Sequence, residues 1–161
     1  MSKLFIWILM FMSIIFFYLV WASLGHLRTI PELLVVDYIE TQPEVQIIND
    51  TGILKLSNGC NEVTMIISPD QAMSIERGLR KRSWIRPNAH DLMIQMFEHY
   101  GFEILMVKVV LLKNDTFYAK LIIKQGNNIL SLDSRPSDAV AVAVRVDAPI
   151  YVNKNLLRKV C

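Results

Sequence analysis

Two short segments carry one design. Arg86-Pro87-Asn88-Ala89-His90-Asp91 and Arg135-Pro136-Ser137-Asp138 each set an Arg-Pro pair ahead of what reads as the first turn of a helix, with an aspartate inside that turn. A helix N-terminus exposes unpaired backbone N–H groups and about half a positive charge, so it holds a phosphate or fixes a carboxylate. Both uses are open. Arg86 and Arg135, joined by Ser137, are candidates to bind a phosphate, and a guanidinium does so bidentately. Equally, each arginine would bridge a carboxylate and close the loop before its helix. A third segment is electrostatic: Arg77, Arg80, Lys81, Arg82 and Arg86 place five cations within ten residues, with Trp84 among them and no acid. Cations beside an aromatic ring suit a nucleic-acid backbone and a stacked base. Cations in the last turn of a helix also complement its dipole, and Trp84 is then a core residue.

The elements that must position these residues follow from local signals. Val45–Ile48, Gly52–Leu56 and Val63–Ile67 read as strands rich in β-branched residues, preceded by another over Leu33–Ile39. Asn49-Asp50-Thr51-Gly52 and Ser57-Asn58-Gly59 have the chemistry of hairpin turns. Ser68-Pro69-Asp70-Gln71 predicts a helix start with a capping box, and Ala72, Ile75 and Leu79 give that helix one buried face. A second helix is expected from Asn88 to Gly101, with Leu92, Met93, Met96, Phe97 and Tyr100 as its apolar stripe; Met93, Met96 and Met106 read as core. His99 stands nine residues from His90, about 180° around that helix, so the two histidines do not form an acid–base pair. Phe102–Leu112, Phe117–Ile123 and Ile129–Leu132 form a meander. A third helix from Pro136 to about Val146 is apolar on all sides between Ala139 and Val144, which predicts burial on all sides. Ile150–Val152 is a last strand, and Leu156, Leu157 and Val160 suggest a short terminal helix. Strands in runs with helices interposed define an α+β fold, with mixed, mainly antiparallel strands and about three helices.

Of the 161 residues 53% are hydrophobic, and the excess is concentrated at the start. From Leu4 to Leu24 the only polar residues are Ser13, Tyr18 and Ser23. A helix of that length spans roughly 31 Å, so residues 1–28 are expected to be a single-pass membrane anchor, with a signal peptide and a core helix as alternatives. Residues 29–161 then form one domain. Without Lys3 and Arg28 that domain carries 15 Lys/Arg against 15 Asp/Glu, which excludes a uniformly basic nucleic-acid coat and leaves only the local cluster. Cys60 and Cys161 lack any C-x-x-C spacing, which excludes zinc-ribbon and thioredoxin-like motifs; a disulfide between them is open.

The chain resembles the bifunctional nuclease domain family over roughly residues 63–152. The resemblance is carried by Asp133-Ser134-Arg135-Pro136-Ser137-Asp138-Ala139 followed by Ala148-Pro149-Ile150-Tyr151-Val152, by Arg86-Pro87-Asn88-Ala89-His90-Asp91-Leu92, and by Phe117-Tyr118-Ala119. Gln71 stands where members often have Glu, and Ala89 where Thr usually precedes the histidine. The resemblance implies an α+β domain with nuclease activity on DNA and RNA, often in a homo-oligomer. Phosphodiester hydrolysis needs charge stabilisation at phosphorus and an activated water. Asp91, Asp133 and Asp138 are candidate ligands for Mg²⁺ or Mn²⁺, and His90, Asp91 and Asp138 candidate catalytic groups. Against this, an aspartate in a first helical turn is favoured by the dipole alone, and His90 there needs no further role. A non-catalytic, membrane-tethered binding or scaffold module of the same fold is the competing expectation.

Overall fold

Alternation decides the sheet. In Thr51–Asn58 the residues Gly52, Leu54 and Leu56 are buried while their neighbours are not, the two-residue period of a strand with one covered face. The computed structural model describes residues 7, 10–18, 30–81 and 86–161. The chain divides into two units, Met1–Leu34 and Val35–Cys161.

In the first unit, residues 10–18 are helical and Pro31–Leu33 form a 3-10 turn. The expected anchor is corrected here. Among the described residues no helix is long and apolar enough to cross a membrane. The rest of the Leu4–Leu24 run, apart from Trp7, lies outside the described residues. The single-pass placement falls with the span, and nothing among the described residues supports the membrane partner.

The second unit holds one eight-stranded sheet with strands β1 (Tyr38–Ile48), β2 (Thr51–Asn58), β3 (Asn61–Ile67), β4 (Phe102–Lys113), β5 (Thr116–Gln125), β6 (Asn128–Ser134), β7 (Ile150–Asn153) and β8 (Arg158–Lys159). The order is β6-β5-β4-β7-β1-β2-β3-β8, and only β4 and β7 run parallel. Two of the two-residue hairpin turns, Asn49-Asp50 and Asn114-Asp115, have positive φ at both residues, the conformation that follows strand twist. The α+β expectation, with mainly antiparallel strands, stands.

Three helices, α1 (Pro69–Leu79), α2 (Ala89–His99) and α3 (Pro136–Ala143), pack with the sheet. The capping box predicted at Ser68 and Gln71 forms in both directions. Gly52 sits where a Cβ would come within 2.7 Å of the Ser68 carbonyl oxygen, so β2 and the start of α1 are pressed together. Helix α3 is the centre of the core: Ala139 to Ala143 are almost wholly buried, beside Val107, Val109, Leu121 and Val152. Its all-round apolar sequence allows nothing else.

Three expectations for this unit are corrected. The strand foreseen over Leu33–Ile39 begins only at Tyr38 and runs on through Pro43. The terminal helix is a 3-10 turn at Lys154–Leu156 followed by β8, and Cys161 is joined to Cys60 by a disulfide. Most of the α2 stripe is not core: Leu92 is 50% exposed, Met96 60%, and Met93 and Tyr100 are exposed as well, while Phe97 packs against the core. Met106 is half-buried.

Candidate functional site

Helix α1 contributes Ser74, buried one residue before the core residue Ile75. Four residues on, Gly78 has no room for a Cβ, which would collide with Val144 and approach Arg145. Small residues at this spacing share a helix face, and that face lets Arg145 in.

Arg145 follows α3, and its side chain is 8% exposed. Its Nε donates to Asp91 Oδ1 at 2.7 Å. Its Nη1 donates to the carbonyls of Ser74 and Ala141, and its Nη2 to Ser74 Oγ at 3.2 Å and Asn88 Oδ1 at 3.3 Å. One guanidinium thus joins all three helices.

Asn88 and Asp91 form a reciprocal cap at the start of α2. The Asp91 N–H donates to Asn88 Oδ1 at 3.0 Å, and the Asn88 N–H donates to Asp91 Oδ2 at 2.8 Å. Both carboxylate oxygens of Asp91 are therefore engaged. Burial pushes its pKa up, but the Asn88 N–H and the charges of Arg145 and Arg77 outweigh it, leaving the carboxyl below the ordinary range.

His90 bridges the two Arg-Pro helix starts. Its Nδ1 lies 2.9 Å from Ser74 Oγ, and its Nε2 3.6 Å from Asp138 Oδ1. Burial, reinforced by the Arg145 charge, holds its pKa below the ordinary value against the pull of Asp138 and Asp91. Asp138 accepts from Arg135 twice, from Nε at 2.6 Å and Nη2 at 3.2 Å. Arg135 is 71% exposed, with room to leave its carboxylate.

The other expected residues are dispersed. Ser137 is buried in the first turn of α3. Asp133 is exposed on β6 and, with Asp138, borders an apolar groove of about 490 Å³ whose walls include Leu92, Met93, Met96 and Leu132. Arg86 is exposed before α2. Arg80 pairs with Glu76 one turn back. Lys81 donates to the carbonyls of Val144 and Arg145 and pairs with Asp147 at 2.8 Å, closing the C-terminal end of α3. Arg77 is half-buried near Asp91; Arg82 and Trp84 lie outside the described residues.

No group of three or more His, Cys, Asp or Glu side chains placed to hold a metal ion occurs among the described residues. With Asp91 committed to Asn88 and Arg145, the three aspartates do not make one donor set for a divalent ion. Sequence reasoning passed over Ser74 and Arg145. The signal for Arg145 was its position: the first charge after a helix buried on all sides must be paired or hydrogen-bonded.

The Bifunctional nuclease domain model matches residues 53–161, and the chain belongs to that family. It is 33% identical over 105 residues to an uncharacterized protein of Mycobacterium tuberculosis, covering 65% of this chain and 62% of that one. It is 27% identical over 127 residues to Bifunctional nuclease 1 of Oryza sativa subsp. japonica, covering 73% and 38%. It is 29% identical over 108 residues to Bifunctional nuclease 1 of Arabidopsis thaliana, covering 65% and 33%. The matches thus span about 62% of the mycobacterial relative and about a third of the plant ones.

Proposed function

We propose that this domain hydrolyses phosphodiester bonds of DNA or RNA at the junction of the two Arg-Pro helix starts. The observation that carries the reading is Asp138, whose carboxylate holds Arg135 of its own helix start and lies 3.6 Å from His90 of the other. Arg135 turns from Asp138 to a phosphate, for which its planar fork is suited. That movement frees the Asp138 carboxylate to take a proton from the attacking water. His90 stands beside the same carboxylate. Arg86, exposed at the second helix start, meets a flanking phosphate.

A divalent ion, Mg²⁺ or Mn²⁺, belongs to the proposal as a question for the assay, and no step above runs through it. Self-association is proposed likewise, with light scattering of the full chain as its measure. A second reading, a binding or scaffold module without turnover, is favoured by the internal matching of charge at Asp91, Lys81 and Arg145. The deciding experiment incubates the purified full chain with labelled single- and double-stranded DNA and RNA, with divalent cation and with chelator. Cleavage lost in Asp138→Asn supports the hydrolase; tight binding without cleavage of any substrate supports the module.

A further inference from the structure

Ser74 Oγ is surrounded by three nitrogens. Asn88 Nδ2 lies at 2.9 Å, Arg145 Nη2 at 3.2 Å and His90 Nδ1 at 2.9 Å. A serine hydroxyl has one hydrogen to give and two lone pairs to fill. The guanidinium nitrogen only donates. The Asn88 amide is fixed in orientation by its other end, because Oδ1 receives both the Asp91 N–H and Arg145 Nη2, so its nitrogen also donates to Ser74. Both lone pairs are thereby filled. The hydroxyl hydrogen has one acceptor left, His90 Nδ1.

A ring nitrogen that accepts a hydrogen bond carries no proton, so the neutral imidazole keeps its hydrogen on Nε2. Nε2 is the nitrogen that faces Asp138. We propose that Ser74 is a positioning residue: donating to Nδ1, it holds His90 in the Nε2–H form, so that His90 offers a hydrogen bond to a phosphate oxygen beside Asp138 and does not act as a base. The phosphate clause rests on the hydrolase reading; the proton's place on the ring does not. The base role expected for His90 thus passes to the Asp138 carboxylate. No proton leaves the ring: His90 contributes a fixed N–H dipole where negative charge gathers on the phosphoryl oxygens. Burial and the nearby Arg145 charge, set against Asp138 and Asp91, favour the neutral ring that this requires.

The test is nitrogen–proton correlation NMR of the full chain labelled with ¹⁵N-histidine, at neutral pH and above. The wild-type protein is expected to give a protonated Nε2 and an unprotonated Nδ1 for His90, assigned by its loss in His90→Gln. Ser74→Ala is expected to bring in the Nδ1–H form and, with a cleavable substrate, to lower kcat on the order of tenfold with little change in KM. Ser74→Thr, which keeps a hydroxyl, is expected to restore the Nε2–H form. A wild-type spectrum with Nδ1 protonated overturns the proposal, and needs no variant to fold. The Nε2–H form in a protein that cleaves no nucleic acid supports the positioning role of Ser74 and removes the hydrolase reading alone.

Discussion

Arg145 and Asp91 meet through a 2.7 Å Nε–Oδ1 hydrogen bond across 54 positions of sequence, and the pair locks the start of α2 to the end of α3. The guanidinium is nearly buried and the carboxylate is 31% exposed. Removing one partner leaves the other desolvated and uncompensated.

Asp91→Ala is therefore expected to cost about 2–4 kcal/mol, somewhat less than the loss for a fully buried pair because Asp91 retains contact with water. Urea unfolding of the full chain measures it. A loss below about 0.5 kcal/mol would mean that the pair does not hold the helices together.

The same network gives the fold a pH dependence. His90 has a folded pKa below its ordinary value of 6.5, so the unfolded chain binds its proton first. Stability is expected to decline as pH falls below about 6.5 and to stop declining, as far as His90 is concerned, below the folded pKa. Asp91 adds a second decline at lower pH: its folded pKa is below 3.8, so its contribution is full above that value and is lost as pH falls through the folded pKa. Urea midpoints of wild type and His90→Gln across pH 5 to 7.5 check the first part. Equal slopes would rule it out.

Asp138→Asn and Arg135→Ala remove an exposed pair, and exposed pairs contribute at most about 1 kcal/mol, so both variants are expected to fold. Under the hydrolase reading Asp138→Asn lowers kcat by about 10²–10⁴-fold, the range for a lost proton acceptor, whereas Arg135→Ala acts mainly on KM. Wild-type turnover in Asp138→Asn would move the site elsewhere.

Lys81 is engaged at the end of α3. Lys81→Met is expected to lower stability by about 0.3–1 kcal/mol. The salt dependence of nucleic-acid binding should stay as it is, while a lost phosphate contact would flatten its slope by about 0.7–0.9. A flattened slope would return Lys81 to the nucleic-acid track.

The Cys60–Cys161 disulfide closes a loop with a sequence separation of 101, and cross-links of such length contribute about 2–5 kcal/mol by restricting the unfolded chain. Cys161→Ser should lower the urea midpoint accordingly. An unchanged midpoint would show that the tail is held by β8 and the Val160 N–H bond to the Cys60 carbonyl alone.

What the sequence made legible was local. The Ser68–Gln71 box, the Asn49-Asp50 turn and the burial of α3 are each decided within a few residues, and each forms as expected, although α3 ends at Ala143 and not near Val146. β1 runs unbroken through Pro43 because β7 pairs only with Tyr38–Thr41, so the missing N–H falls beyond its reach, a pairing that local composition does not reveal. Periodicity gave α2 an apolar stripe but not the knowledge that nothing within the described residues covers Met96 fully, since spacing is the same for a face that meets a core and a face that does not. In the site, the two Arg-Pro helix starts were legible one by one, and it is the fold that brings His90 of one within 3.6 Å of Asp138 of the other. Ser74 was not legible, because a contact across 71 residues leaves no mark on its neighbourhood; of Arg145 only the need for a partner could be read, from its place just after α3.

Arg145 also sets when the site comes into being. Its partners on α1 and α2 lie 54 to 71 positions upstream, with the whole β4–β6 meander between, so a growing or truncated chain that stops short of Arg145 lacks the guanidinium that joins α1, α2 and α3. Contacts of such separation form late and slowly. Whatever chemistry the junction performs therefore depends on a residue that is made only after the meander and α3, so the junction is completed in the last part of the chain to be synthesised.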